Sequence, residues 1–127
     1  MQSPNNQLLD SNIVIDYLRG RERAINFIEK IYLPKISVVT VGEVYQGALN
    51  QREFQRTKDI LGAFHVIHIS EKISIQAVEL IAKYHLSSGL FFLDALVAAT
   101  AMENNLTLIT ANLKHFQMIK GLKVKKW

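Results

Sequence analysis

Apolar positions along this chain alternate between two spacings. Compact runs rich in Val, Ile and Leu, in "QLLD", "LPKISVV", "HVIHI", "TLIT" and "LKVKK", read as short strands, several of them buried on both faces. Between them the apolar residues return every three or four positions. "SNIVIDYLRG" predicts a helix that stops at Gly20, and "RAINFIEKI" places Ile25, Ile28 and Ile31 near helical spacing. "TVGEVYQGAL" is expected to be helical from Thr40, and "EFQRTKDILGAF" follows with Phe54, Ile60, Leu61 and Phe64 as its apolar members. The longest amphipathic stretch, "EKISIQAVELIAKYHLS", sets Ile73, Ala77, Leu80, Ile81 and Tyr84 on one face, and "LDALVAATAMENN" supplies a further helix. Strands alternating with helices predict a mainly parallel sheet covered on both sides. In such sheets a crevice opens where strands end and their order switches, so the polar residues at strand ends matter most.

Composition narrows the choice. With 127 residues and 49% hydrophobic side chains, one domain spanning 1–127 is expected, with a real core. No apolar run reaches the roughly 20 residues needed to cross a bilayer, and "MQSPNNQ" lacks the features of a secretory signal, so a cytoplasmic protein with no membrane contact is expected. The absence of cysteine removes disulfides and thiolate metal sites. Any metal must therefore be a hard, oxygen-bound ion or one held by histidine. The formal charge of +4 modestly favours anionic partners. Its excess is uneven: Arg19, Arg21 and Arg23 crowd together, and from Lys114 onward there are five lysines and no acid.

Three carboxylates fall at element junctions. Asp10 ends the first strand, Glu43 lies in the first turn after the second, and Asp94 opens the helix before "TLIT". Each has a structural explanation alone: Asp is a favoured helix cap, and "TVGE" reads as a capping box with Thr40 as the cap and Glu43 reaching back. Gathered at one sheet edge they would do something else. Two carboxylates about 4 Å apart repel by roughly 4 kcal/mol at an effective dielectric near 20, so three together would take up protons or a cation. Mg²⁺ or Mn²⁺ suits such oxygen donors. Spacing alone leaves convergence open.

The blocks "LLDSNIVIDYL", "ISVVTVGEVYQGA", "FFLDALVAATAMENNLTLIT" and "TANLKHFQMIKGLKV", in that order, resemble the PIN domain, specifically the VapC toxins of toxin–antitoxin pairs. The resemblance covers about Leu8 to Trp127. It implies a three-layer α/β/α sandwich and a Mg²⁺- or Mn²⁺-dependent endoribonuclease with its acidic positions on Asp10, Glu43 and Asp94. The fourth polar position, Asp in many relatives, is Asn112 here, which leaves three formal charges and puts a second ion in doubt. Ser11, Asn12 and Thr110 match supporting polar positions. Transfer RNA or ribosomal RNA as substrate, a homodimer and a cognate VapB-like antitoxin are implied as well.

Around this site Arg19, Arg21, Arg23, Lys114, His115 and Lys120 are candidates to guide an RNA backbone. Phe91 and Phe92, just ahead of Asp94, are expected to pack in the core, with base stacking as the other reading. Ile13, Val14, Tyr17, Ile28 and Ile31 offer apolar surface for a partner groove. A phosphoacceptor receiver domain is excluded by the residues, since it needs an acidic pair after the first strand and an Asp ending the third, where this chain has "LLDSN" and "HVIHIS". A nucleotide hydrolase is disfavoured because no GxxxxGKS or GxxxxGKT loop is present. The alternative that remains is a catalytically inactive PIN-like module that binds RNA or protein.

Overall fold

The computed structural model describes residues 6–127. The elements run β1 (Gln7–Leu9), α1 (Ser11–Leu18), α2 (Glu22–Ile28), β2 (Lys35–Ser37), α3 (Val38–Gln46), α4 (Gln51–Leu61), β3 (His65–Ile67), α5 (Glu71–Ser88), α6 (Phe92–Glu103), β4 (Thr107–Thr110) and β5 (Val124–Lys126). A 3₁₀ turn at Leu113–His115 follows β4. The strands form one sheet in the order β3-β2-β1-β4-β5, parallel at every pairing.

Alternation along the central strands builds two cores from neighbouring residues. Leu8 pairs with Leu108 and Leu9 with Ile109. Leu8 and Leu108 turn to one face, where they meet Ala77, Leu80 and Tyr84 of α5, Ala95, Ala98 and Ala99 of α6, and Phe116. Leu9 and Ile109 turn to the other face and pack with Ile13, Val14, Ile28, Ile36, Val44 and Leu61. A period of two along a strand can do nothing else when helices cover both faces. The result is the expected α/β/α sandwich. Among the described residues no helix is long and apolar enough to cross a membrane.

Several boundaries differ from the sequence reading. The strand predicted through Val39 ends at Ser37, whose hydroxyl accepts the Val39 N–H at 3.0 Å and starts α3 two residues before Thr40. Thr40 is therefore a buried residue inside the helix, and no capping box forms there. α4 begins earlier than expected because Asn50 caps it, accepting the Glu53 N–H at 2.9 Å, while Glu53 reaches back to the Leu49 N–H at 3.0 Å. Ile13, Val14, Ile28 and Ile31, read as surface for a partner, are core residues.

The role of Trp127 was not legible in the sequence. Its N–H donates to the Thr110 carbonyl at 2.8 Å, its ring meets Phe27 edge-on at 4.9 Å, and the Arg23 guanidinium lies 4.2 Å from the ring centroid. Trp127 thus ties α2 to the end of the sheet. Trp127→Ala is expected to cost roughly 1–3 kcal/mol, read as a lower urea midpoint at unchanged slope.

Candidate active site

The strand order reverses direction between β1 and β4, because successive connections leave β1 to one side and return beside it on the other. A crevice is expected at that switch point. Asp10 and Thr110 end the two strands there. The Asp10 N–H donates to the Ile109 carbonyl at 3.0 Å as the last rung. Its side chain is 6% exposed and held at both oxygens: Oδ1 accepts the Ser11 N–H at 2.8 Å, and Oδ2 accepts the Thr110 hydroxyl at 2.7 Å. The same Thr110 oxygen accepts the Asn112 N–H at 3.0 Å. A carboxylate has about four acceptor positions; these two bonds leave the others open. Asp10 is both the cap of α1 and an oriented donor.

Glu43 and Asp94 converge on it electrostatically. Burial first, then the charges of Asp10 and Asp94, push the Glu43 carboxyl above its ordinary 4.5. Burial and the charge of Asp10 push Asp94 above 3.8, with His115 opposing. Mutual repulsion of this kind requires the three acids to lie within reach of one another's fields. Neither Glu43 nor Asp94 is occupied as a cap. Glu43 sits past the first turn of α3, and α6 starts at Phe92 after Phe91, which makes no side-chain cap bond. Asp94 still gains from the helix dipole, being in the first turn.

The cluster is open. Among the described residues no three acidic or histidine side chains form a group that could hold a metal ion directly. The acids act on one another's charge without closing directly around an ion. The donor set, hard oxygens at raised pKa around a fixed Asp10, fits a cation that keeps part of its water shell, as Mg²⁺ does. It does not fit a closed cage.

The supporting residues gather at the same edge. Asn112 donates through Nδ2 to Asn12 Oδ1 at 3.1 Å, bridging the start of α1 and the loop after β4. Asn112 thus closes that side as a neutral group. Asp94 Oδ2 lies 3.5 Å from His115 Nδ1. His115 was legible only as a residue near Asn112; the 3₁₀ turn that carries it beside Asp94 has no apolar period to announce it. Lys114 lies on the same turn. Arg19 lines a groove of about 210 Å³ with Ile15, Leu18, Glu43, Val44 and Arg56, whose guanidinium donates to the Leu18 carbonyl at 3.0 Å. The remaining basic candidates are placed otherwise. Arg21 precedes α2 as its exposed N-terminal residue, Arg23 lies on Trp127, and the Lys120 N–H donates to the Tyr84 hydroxyl. None of these three bonds to the acids. Phe91 and Phe92, expected in the core, are exposed.

The sheet with acids at its switch point defines a class of α/β proteins that place charged chemistry at strand ends. A PIN domain family model matches residues 8–121, and the chain belongs to that family. It is 33% identical over 120 residues to Ribonuclease VapC10 of Mycobacterium tuberculosis, covering 91% of this chain and 90% of that one. A toxin–antitoxin complex from Klebsiella pneumoniae contains a chain 38% identical, with a TM-score of 0.78 over 91% of this chain and 94% of that chain. VapBC2 from Rickettsia felis, bound to a DNA fragment from its promoter, superposes with a TM-score of 0.82 at 26% identity, covering 95% and 98%.

Proposed function

We propose that this chain, as one PIN-like unit over 1–127, is an endoribonuclease that acts as the toxin of a toxin–antitoxin pair in the cytoplasm, cutting transfer or ribosomal RNA with Mg²⁺ or Mn²⁺. The observation that carries the reading is the PIN family match over residues 8–121, supported by Asp10 fixed at the switch point and by the charge of Asp10 acting on both Glu43 and Asp94. Glu43 caps nothing, and a purely structural carboxylate has no reason to sit where two other acids raise its pKa.

Asp10, Asp94 and Glu43 would hold the cation, with Asn112 beside them. When bound it supplies charge stabilisation at the phosphate and a lower pKa for water. Asp10 is kept in one orientation by Ser11 and Thr110, so a cation would meet a fixed anion rather than a mobile one. Glu43, raised above its ordinary value by burial and then by the charges of Asp10 and Asp94, would either complete the cation's ligands or orient the attacking water. Asn12 and Asn112 hold the far wall together, Lys114 offers positive charge to the RNA backbone, and the His115 imidazole offers it a hydrogen bond.

The partners follow the relatives. A VapB-like antitoxin segment would lie in the groove between Leu18, Glu43 and Arg56, close enough to the acids to block them. A homodimer has its surface on the outer side of α5, where Ile75, Val78 and Leu86 are exposed opposite the buried Ala77, Leu80 and Tyr84.

The experiment is to free the chain from its antitoxin and incubate it with total cellular RNA and Mg²⁺ or Mn²⁺. Discrete fragments are expected, lost on chelation, restored by the ion and missing with Asp10→Asn. RNA that is retained by the protein and stays whole under every ion would instead identify a binding module.

A further inference from the structure

Three large apolar residues, Phe91, Phe92 and Leu93, stand exposed immediately before Asp94. Phe91 is 68% exposed and occupies the cap position of α6, where Ser, Thr, Asp or Asn would serve the helix better. Local structure therefore gives no reason for an aromatic ring there. One flank of that ring rests 6.5 Å from His85, whose Nδ1 is paired with the Leu90 carbonyl at 2.8 Å. The residue also borders a hollow of about 130 Å³, shared with Gly89, Asp94, Lys114 and His115. That is the room of about four water molecules, the scale of a flat ring rather than of a folded segment. Gly89, at φ +69°, ends α5 in the left-handed region and puts no side chain into this space.

The lining is chemically mixed. It offers an aromatic face for stacking, an imidazole and an ammonium that can donate hydrogen bonds, and one of the three acids on its wall. A protein side chain seeking apolar burial would meet a lysine and a carboxylate here. A heteroaromatic ring with acceptor oxygens or nitrogens on its edge suits the aromatic face, the imidazole and the ammonium, and leaves Asp94 to the cation that would hold the adjoining phosphate.

We propose that the hollow walled by Phe91, Lys114 and His115 is a subsite for one nucleobase next to the scissile phosphate, and that it sets a base preference at that position beside the cut. The proposal rests on the nuclease reading above. Lys114 also borders a second hollow of about 360 Å³ with Asn112 and Lys126, which continues the track on the far side.

The test uses the full chain, Mn²⁺ and a pool of single-stranded 12-nucleotide RNAs, with cleavage ends read by sequencing. Wild type is expected to show a base preference at one position beside the cut. Phe91→Ala is expected to erase that preference and lower kcat/KM on the order of 10- to 100-fold, while Phe91→Trp retains it and melting temperatures stay unchanged. An abasic residue at that position should reproduce the loss in wild type and add nothing in Phe91→Ala, the mark of a direct contact. Cleavage by Phe91→Ala with unaltered rate and profile overturns the subsite and leaves the nuclease standing. So does a Phe91→Ala variant whose only defect is weaker self-association. If wild type cuts none of the pool and none of total RNA, the nuclease reading falls and takes the subsite with it.

Discussion

Asp94→Asn is expected to abolish RNA cleavage, by at least about 10³-fold in kcat/KM, and yet to raise the melting temperature of the metal-free protein at neutral pH by a few degrees, about 2–5 °C. The two effects share one cause. The carboxylate is held partly buried beside Asp10, and both circumstances favour its protonated form. A neutral amide removes the repulsion from Asp94 and also from Glu43, whose proton affinity is raised in part by Asp94. What is lost, the contact with His115 at 3.5 Å, is long and made to a mostly exposed imidazole, so it is worth little. A variant that is dead and less stable than wild type would mean that Asp94 serves the fold.

The pH dependence follows with a definite sign. Glu43 and Asp94 have ordinary values of 4.5 and 3.8, and both are raised in the folded protein. Below the ordinary values both states carry the proton, so these groups contribute nothing. As pH climbs from there through the raised values, the folded state is left with repelling carboxylates and loses stability relative to the unfolded chain. The metal-free protein should therefore pay its full electrostatic penalty at neutral pH, and a saturating divalent cation should return it by binding the folded state. Denaturant midpoints in chelator between pH 4 and pH 7, repeated with Mg²⁺, measure both. A midpoint set by Mg²⁺ in Asp94→Asn as strongly as in wild type would place the ion elsewhere.

How much of this could be read in the sequence varies with the physics of each feature. The parallel sheet was legible because strands buried on both faces are short continuous apolar runs, and helices between them announce themselves by their period. The Glu43 cap was misread for a local reason. Ser37, three residues before Thr40, is an equally good cap, and strand pairing with β3 ends at Ser37. Only the sheet register decides between them. Phe91 and Phe92 were misplaced because apolar composition is the same for a core residue and for a ring left exposed at a helix start. The burial of Ile13, Val14 and Ile28 depended on the second core, built around Leu9 and Ile109, and no single helix contains that information. The acids stood out in the chain only as junction residues; the meeting of Asp10 with Thr110 is a property of strand order, since β4, about a hundred residues after β1, is inserted directly beside it.

Thr110→Val carries the second large expectation. The hydroxyl is fully buried and has two partners at once, donating to Asp10 Oδ2 at 2.7 Å and accepting the Asn112 N–H at 3.0 Å. Valine keeps the shape and removes both bonds, leaving a buried carboxylate oxygen and a backbone donor unpaired. A loss of roughly 1–3 kcal/mol in stability is expected from the orphaned groups. Activity should fall further than stability explains, about 10- to 100-fold, because Asp10 would no longer be fixed in direction. Thr110→Ser separates the two causes: it keeps the hydroxyl and gives up one methyl, so it should retain most of the activity at a modest cost in stability. Were serine as inactive as valine, the methyl's packing would be what matters, and the idea that Thr110 aims Asp10 would be wrong. The same bond explains why an acid can be tolerated this deep. Its stabilising partner sits on the neighbouring strand, so the pairing that closes the sheet between β1 and β4 also sets the angle of the carboxylate, and neither can be altered alone.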